Sequence, residues 1–198
     1  MSALALAVDL GGTKVEAGIV DADGRILEGS RYRAPTGRAS TSEQLAASVT
    51  SVAQQAVAAL PDDEQLTGIG IGSAGPIDLR AGLVSPLNLP SWRGFSLRDL
   101  VTELVPGVPT TLRMDGEAIT LAEHWLGAAQ GVDDVMGMVV STGVGGGLIL
   151  GGMAVAGPTG NAGHIGHLEV GGFDDPCDCG GVACLEAIAS GPKTVAWA

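Results

Sequence analysis

The chain has 198 residues, 45% of them hydrophobic and only 16% charged, which is a folding composition with room for one core or two small lobes and excludes a disordered segment. A net charge of −12 without any clustered run of Lys and Arg argues against a phosphate-backbone surface, so no nucleic-acid partner is expected. The first ten residues lack a basic leader and Asp9 interrupts their apolar run, so a secretion signal is not expected. The three cysteines then point to the reducing cytoplasm, where clustered thiols are metal ligands rather than disulfides.

In chain order, an apolar run over 4–10 predicts a buried strand with Asp9 near its end, GGTK a turn, and 15–20 a second strand. Asp23-Gly24 suits a tight turn, and 25–33 predicts a third, more exposed strand. A polar start, apolar residues at helical spacing and Pro61 just beyond the end predict a helix over 42–60. A strand over 66–71 opens into GSAGPID, and a polar loop follows with Asn88, Pro90 and Gly94. Ser96 starts a short helix that runs to about 105. A strand over 109–114 leads to a helix over 116–129 with Leu121, Trp125 and Ala128 on one face; Glu117, Glu123 and His124 read as its solvated side.

A strand over 135–140, the glycine loop STGVGGG and a return strand over 148–155 come next. No charge falls between 135 and 163, which is long enough to cross a bilayer. Its glycines, Ser141, Thr142 and the lack of flanking Lys or Arg predict buried strands and turns instead, with no membrane partner. A helix is expected from about Ala183, and the start of another at the end of the chain. Two strand–glycine turn–strand units, one at 9–14 and one at 141–147, suggest two related lobes facing each other across a cleft. The boundary is expected near Asp115, giving a smaller α/β lobe over 1–114 and the first part of a larger lobe over 115–198.

Strands that end in Gly-Gly-Thr or Thr-Gly-x-Gly-Gly present backbone N–H groups with no side chains in the way, a concavity suited to phosphate oxygens. Thr13, Lys14 and Thr142 add donors, and Asp9 suits a magnesium ion or its water shell. Either turn alone reads equally as a plain hairpin. Neither is a P-loop, because Gly-x-x-x-x-Gly-Lys-Ser/Thr is absent, and a strand rather than a helix follows each, unlike a dinucleotide-binding fingerprint. Asp115, between a strand and a helix, suits either a helix cap or a general base that accepts a hydroxyl proton during phosphoryl transfer. Cys177, Cys179 and Cys184 with one histidine make a Cys3His set, which is closed and hence structural for zinc. His164 and His167 compete for the fourth position, and spacing does not choose between them.

Taken in order, DLGGTK at 9–14, GIGIGSAGPID at 68–78, NLPSWRG at 88–94, MDGEAITLAEHWLGAA at 114–129, STGVGGG at 141–147 and AGHIGHLEV…CDCGGVACLEAIASG at 162–191 resemble the ROK family (repressors, open reading frames and kinases). Its enzymes are mostly sugar kinases. The resemblance implies an α/β fold of the actin-like ATPase (ribonuclease H-like) class, with two lobes around a cleft. It implies that Asp9, Gly11, Gly12, Thr13 and Lys14 face the phosphates of ATP, as do Thr142, Gly143, Gly145 and Gly146. Asp115 becomes the general base on a sugar hydroxyl. His167, Cys177, Cys179 and Cys184 become the zinc ligands of a segment that also lines the sugar pocket. Glu186 matches a sugar-binding carboxylate, and Gly75 and Asn88 lie in segments bordering the sugar.

Three features depart from the family pattern. Met114 stands where the family has an Asn that hydrogen-bonds the sugar, a loss of roughly 1–3 kcal/mol for a buried hydroxyl. His164 replaces a Glu that is also a sugar ligand, exchanging a charged acceptor for an imidazole. Family kinases also run further than residue 198, so the resemblance implies that the second lobe is incomplete here. Its exposed apolar surface would favour a homo-dimer or higher homo-oligomer. The reading is an ATP- and Mg2+-dependent, glucokinase-like hexose kinase with a structural zinc. The alternative is a catalytically idle sugar-binding module on the same fold. A transcriptional regulator is disfavoured by the acidic charge and by a first strand that begins at about residue 4.

Overall fold

Alternation along the first strand organises the first unit. β1 (Leu4–Leu10) turns Leu4, Leu6, Val8 and Leu10 into the core, and β2 (Lys14–Val20) turns in Val15, Ala17 and Ile19. The molecule is described by a computed structural model over residues 3–198. Its contacts divide it into a unit up to Met114 and a unit from Asp115 onward.

In the first unit β1 and β2 pair antiparallel, β3 (Tyr32–Pro35) adds to β2, and β4 (Leu66–Ser73) and β7 (Thr110–Met114) run parallel to β1, giving the order β3-β2-β1-β4-β7. Helix α1 (Ser42–Ala58) covers the inner face with Leu45, Val49, Val52, Ala53 and Ala56. Its entry is fixed by a capping box in which Thr41 and Gln44 satisfy each other's backbone N–H groups. The short pair β5 (Ile77–Asp78) and β6 (Leu83–Val84) and helix α2 (Leu97–Leu104) complete the unit. The third strand begins later than the sequence predicts. Ser30 is fully buried, donates to the Leu27 carbonyl at 2.7 Å and accepts the Ile19 N–H at 3.0 Å, so residues 27–30 form a turn pinned to β2 instead of a strand beside it.

On β2 the side chain of Glu16 is 11% exposed and is ringed by cations: Lys14 Nζ at 2.9 Å, Arg33 Nη2 at 3.0 Å, and Arg31 in contact through its Nε. Burial opposes its charge, but hydrogen bonds from Lys14 and Arg31 and the Arg31 charge outweigh burial and hold its pKa at about 2, against an ordinary 4.5. A depressed carboxylate pKa contributes stability above the unfolded value and loses it as pH falls toward the folded one. The wild-type chain is therefore expected to lose stability between pH 4.5 and about 2 more steeply than Glu16→Gln, as measured by urea unfolding across that window. Equal slopes would show that the cluster adds nothing.

The second unit is built on the sheet β10-β9-β8, from β8 (Val135–Val140), β9 (Val144–Leu150) and β10 (Met153–Ala154). β9 begins at Val144, inside the glycine run that the sequence suggests is a loop to 147, because Gly145, Gly146 and Gly147 pair directly with Val139, Met138 and Gly137. The charge-free stretch thus folds as this small sheet, and among the described residues no helix is long and apolar enough to cross a membrane. Helix α3 (Asp115–Leu126) packs on β8 and β9. Its inward face is Gly116, Glu117 and Thr120, not Leu121, Trp125 and Ala128; Trp125 is 50% exposed. The helix lies so close to the sheet that only small or slender residues fit beneath it. The other face of β8 presents Met136, Met138 and Val140 to solvent, so this strand is apolar on both sides, the pattern of a strand meant to be covered on both. A 3-10 turn at Ile165–His167, α4 (Leu185–Ala189) and α5 (Gly191–Trp197) follow.

Candidate active site

The residues singled out from sequence fall into two clusters, one in each unit. In the first, β1, β4 and β7 end at one edge of the sheet, in register at Leu10, Ser73 and Met114. The turn 11–13 closes there with the Gly11 N–H donating to the Lys14 carbonyl at 2.9 Å, while Thr36 ties down both sides by donating to the Gly11 and Thr13 carbonyls. The Ala74 N–H donates to Leu10, and the Leu87 N–H to Gly75, so Gly75 and the Asn88 loop meet the turn. A Cβ at Gly12 would lie 2.7 Å from the Asn88 amide carbon, so glycine is needed for this approach. The Asn88 Oδ1 is buried without a hydrogen-bond partner in this arrangement. Asp9 reaches solvent, yet the surrounding protein pushes its carboxyl pKa up, with Lys14 opposing and Glu16 adding to the shift.

The second cluster forms around the turn 141–143 between β8 and β9. Asp115 is the first residue of α3 and accepts the Gly116 N–H on Oδ1 at 2.8 Å. That oxygen lies 4.0 Å from where a Cβ on Gly145 would sit. The closeness comes from bare backbone. A Cβ at Gly116 would lie 2.8 Å from the Gly146 carbonyl carbon, and one at Gly147 would lie 2.7 Å from the Glu117 Cα. Glu117, which the sequence reading assigned to the solvated side, is 1% exposed on this inward face. It was missed because its neighbours are polar or small, and the signal was the paired glycines of the opposing strand.

The 3-10 turn lies on β9 as well, since a Cβ at Gly146 would come within 2.7 Å of Ile165 Cδ1, and one at Gly163 within 2.9 Å of the Gly147 Cα. This brings His164 and His167 beside the turn, with their rings edge to face at 4.4 Å. Burial and the neighbouring His167 lower the His164 pKa to about 4, so it is neutral near pH 7. Glu186 on α4 accepts the Val144 N–H at 2.8 Å.

The ligand atoms of His167, Cys177, Cys179 and Cys184 all lie within 4.8 Å of one another. His167 Nδ1 is 3.5 Å from Cys177 Sγ, and Cys179 Sγ is 3.6 Å from Cys184 Sγ. Tetrahedral zinc with ordinary Zn–S and Zn–N bonds sets ligand–ligand edges of about 3.5–3.8 Å. The donor set and its spacing therefore fit zinc, with His167 rather than His164 as the nitrogen. Burial and the neighbouring thiols push the Cys184 thiol up to about 12. It belongs to a group that a cation would deprotonate.

The ROK family model matches residues 5–198. The chain belongs to the ROK family. It is 34% identical over 187 residues to a glucokinase from Thermotoga maritima, covering 93% of this chain and 56% of that protein. It is 38% identical over 189 residues to an N-acetylmannosamine kinase from Escherichia fergusonii, covering 94% of this chain and 61% of that one. The solved structure of a ROK family glucokinase from Streptomyces griseus, in complex with glucose and AMPPNP, superposes with a TM-score of 0.83 at 36% identity, over 98% of this chain and 59% of its own. The fold is accordingly the actin-like ATPase fold, and the chain spans a little over half the length of these relatives.

The close approach of β8 and the 3-10 turn to Gly146 on β9 is testable. A methyl at position 146 would meet the Gly137 carbonyl at 2.5 Å and Ile165 at 2.7 Å. Gly146→Ala is expected to destabilise the second unit by about 1–3 kcal/mol, read as an earlier unfolding midpoint in urea with the first unit unchanged. An unchanged midpoint would mean the contact is looser than described.

Proposed function

We propose that this chain carries the reaction centre of an ATP-dependent hexose kinase of glucokinase type, with Asp115 as the general base. The observation that carries the reading is the Asp115 carboxylate beside Gly145, in a unit that also gathers Glu186 and the Cys3His cluster. Membership of a family whose similar members are sugar kinases supports it.

On this reading a sugar hydroxyl oxygen bonds to the γ-phosphorus while the bond from that phosphorus to the bridging oxygen of ADP breaks. The hydroxyl proton passes to Asp115. Its carboxylate already accepts the Gly116 N–H on Oδ1, which fixes its aim toward the hydroxyl whose proton it takes. Backbone N–H groups from Gly12, Thr13 and Lys14 in the first unit, and from Thr142, Gly143, Gly145 and Gly146 in the second, are the phosphate donors on this reading, with the Thr hydroxyls as further donors. Two N–H groups are already committed, Gly11 to Lys14 and Val144 to Glu186, so they shape the turns instead of binding phosphate. Magnesium carried with the ATP neutralises phosphate charge, and Asp9 suits its water shell. Glu186, His164 and His167 in the second unit, and Gly75 and Asn88 in the first, are the proposed sugar contacts; the buried Asn88 Oδ1 is an acceptor suited to a sugar hydroxyl. His167, Cys177, Cys179 and Cys184 would hold a structural zinc, which would tie the 3-10 turn to the residue that precedes α4.

One observation favours the second reading, sugar binding without turnover. Met114 is 2% exposed and packs into the first unit's core, so it supplies no polar group where the family pattern has a sugar-binding Asn.

A coupled assay with ATP, Mg2+ and a panel of hexoses and N-acetylhexosamines decides between the two. The kinase reading expects turnover that falls about 10²–10⁴-fold in Asp115→Asn while sugar affinity persists. Saturable sugar binding with no turnover in the wild-type chain, or in one extended to its relatives' length, would favour the binding module. Metal analysis of freshly purified protein is expected to find about one zinc per chain, and Cys177→Ser to lower both zinc content and melting temperature. Protein free of metal with an unchanged melting temperature would remove the zinc assignment.

A further inference from the structure

The geometry points to Glu186 as a positioning residue for the β8–β9 turn, in addition to the sugar-binding role proposed above. Its phosphate-related consequence rests on the kinase reading; the tie itself does not. The turn has little to hold it in place. Ser141 and Thr142 are exposed, and Gly143, Gly145 and Gly146 bring no side chains to pack. Glycine loops of this kind sample many backbone states unless tied, and a phosphate cradle that must be ordered at the moment of binding loses affinity.

Two ties reach the turn, and both come from one short stretch of chain. At one end the Glu186 Oε2 accepts the Val144 N–H at 2.8 Å. The same carboxylate fills the space over Gly143, where a Cβ would lie 3.0 Å from its Cδ. At the other end the Gly191 N–H donates to the Ser141 carbonyl at 2.8 Å, and a Cβ on Gly191 would lie 2.6 Å from that oxygen. Glu186 and Gly191 sit on α4 and at the start of α5, and the Ser190 N–H donates back to the Glu186 carbonyl at 3.2 Å. The α4–α5 corner is therefore a clamp with one jaw on each side of the turn. Only the Glu186 jaw is a side chain, and it is a charge-assisted bond, the stronger kind.

A carboxylate has two oxygens. With Oε2 engaged by the turn, Oε1 is the oxygen left to face a sugar hydroxyl. One side chain then joins the sugar subsite to the phosphate turn, and an acceptor sugar that bonds Oε1 further restricts the carboxylate that holds Val144. Sugar and nucleotide are expected to bind with positive coupling through this residue.

The test is amide exchange in the purified chain without any substrate, followed by NMR at single residues. Glu186→Ala is expected to speed exchange at Val144 about 10- to 100-fold, with α3 and β8 unchanged. Glu186→Gln, whose amide oxygen still accepts a hydrogen bond, is expected to stay within about fivefold of wild type. Acceleration in both variants also supports the tie and assigns it to the charge. Wild-type exchange at Val144 in Glu186→Ala overturns it. If Glu186→Ala does not fold, Gly143→Ala takes its place, since its methyl displaces the carboxylate: faster exchange confined to 142–146 supports the clamp, and unchanged exchange there overturns it. Where turnover is measurable, Glu186→Ala raises the KM for both ATP and sugar, whereas Glu186→Gln raises that for the sugar alone. An ATP KM unmoved in Glu186→Ala would overturn the role. Absence of turnover with every sugar, alongside exchange that follows the clamp, would sink the kinase reading and leave the clamp standing.

Discussion

The contact between the Gly116 backbone and the Gly146 backbone is the constraint on which the candidate site depends. A helix ordinarily keeps its distance from a sheet because side chains fill the gap. Here Gly116 on α3 faces Gly146 on β9, Thr120 reaches over Gly137, and Gly147 lies under Glu117, so the helix settles almost onto the strands. The gain is positional. Asp115 begins the helix, and lowering the helix lowers its carboxylate to the glycine turn. The same glycines admit the 3-10 turn from another side through Ile165, which carries His164 and His167 toward the turn. A run that looks like a flexible loop in sequence is thus a strand stripped of side chains so that two other elements can reach its backbone.

This explains which parts of the fold were legible. Apolar alternation at Leu4, Leu6, Val8 and Leu10 and the capping polar start before Leu45 and Val49 obey local rules, and those elements lie close to where the sequence puts them. The candidate residues were legible as motifs, and their ordered spacing carried the family resemblance that the family match supports. What failed was anything decided by a distant partner. Glu117 looked solvated because nothing beside it in sequence announces that Gly147 will lie against its backbone. Leu121 and Trp125 looked like the buried face because hydrophobic periodicity assumes a helix packs with bulk, whereas this one packs with gaps. The third strand slipped to Tyr32 because a buried serine hydroxyl, Ser30, captured the backbone of β2 first.

Electrostatics at each of the two turns differ from those of a simple cationic anion site. The chain carries a net charge of −12, and the cation nearest the first turn, Lys14, is paired with Glu16, which two arginines also surround. On the proposed kinase reading, phosphate attraction would then rest mainly on oriented backbone N–H groups and on magnesium brought with the nucleotide. Such dipoles are fixed by the fold and need no reorganisation on binding, which suits them to a transferring phosphoryl group. It also makes the geometry of each turn count for more than its charge. The turns are held accordingly, the first by Thr36 and the second by Glu186 and Gly191.

The most direct test of the whole account is a crystal structure of the chain, extended if necessary to its relatives' length, with a non-hydrolysable ATP analogue and a bound hexose. The account predicts a sugar hydroxyl within hydrogen-bond distance of the Asp115 carboxylate and the terminal phosphate against the backbone N–H groups of Thr142, Gly143, Gly145 and Gly146. A sugar bound with no hydroxyl near Asp115, or phosphates seated away from that turn, would contradict it.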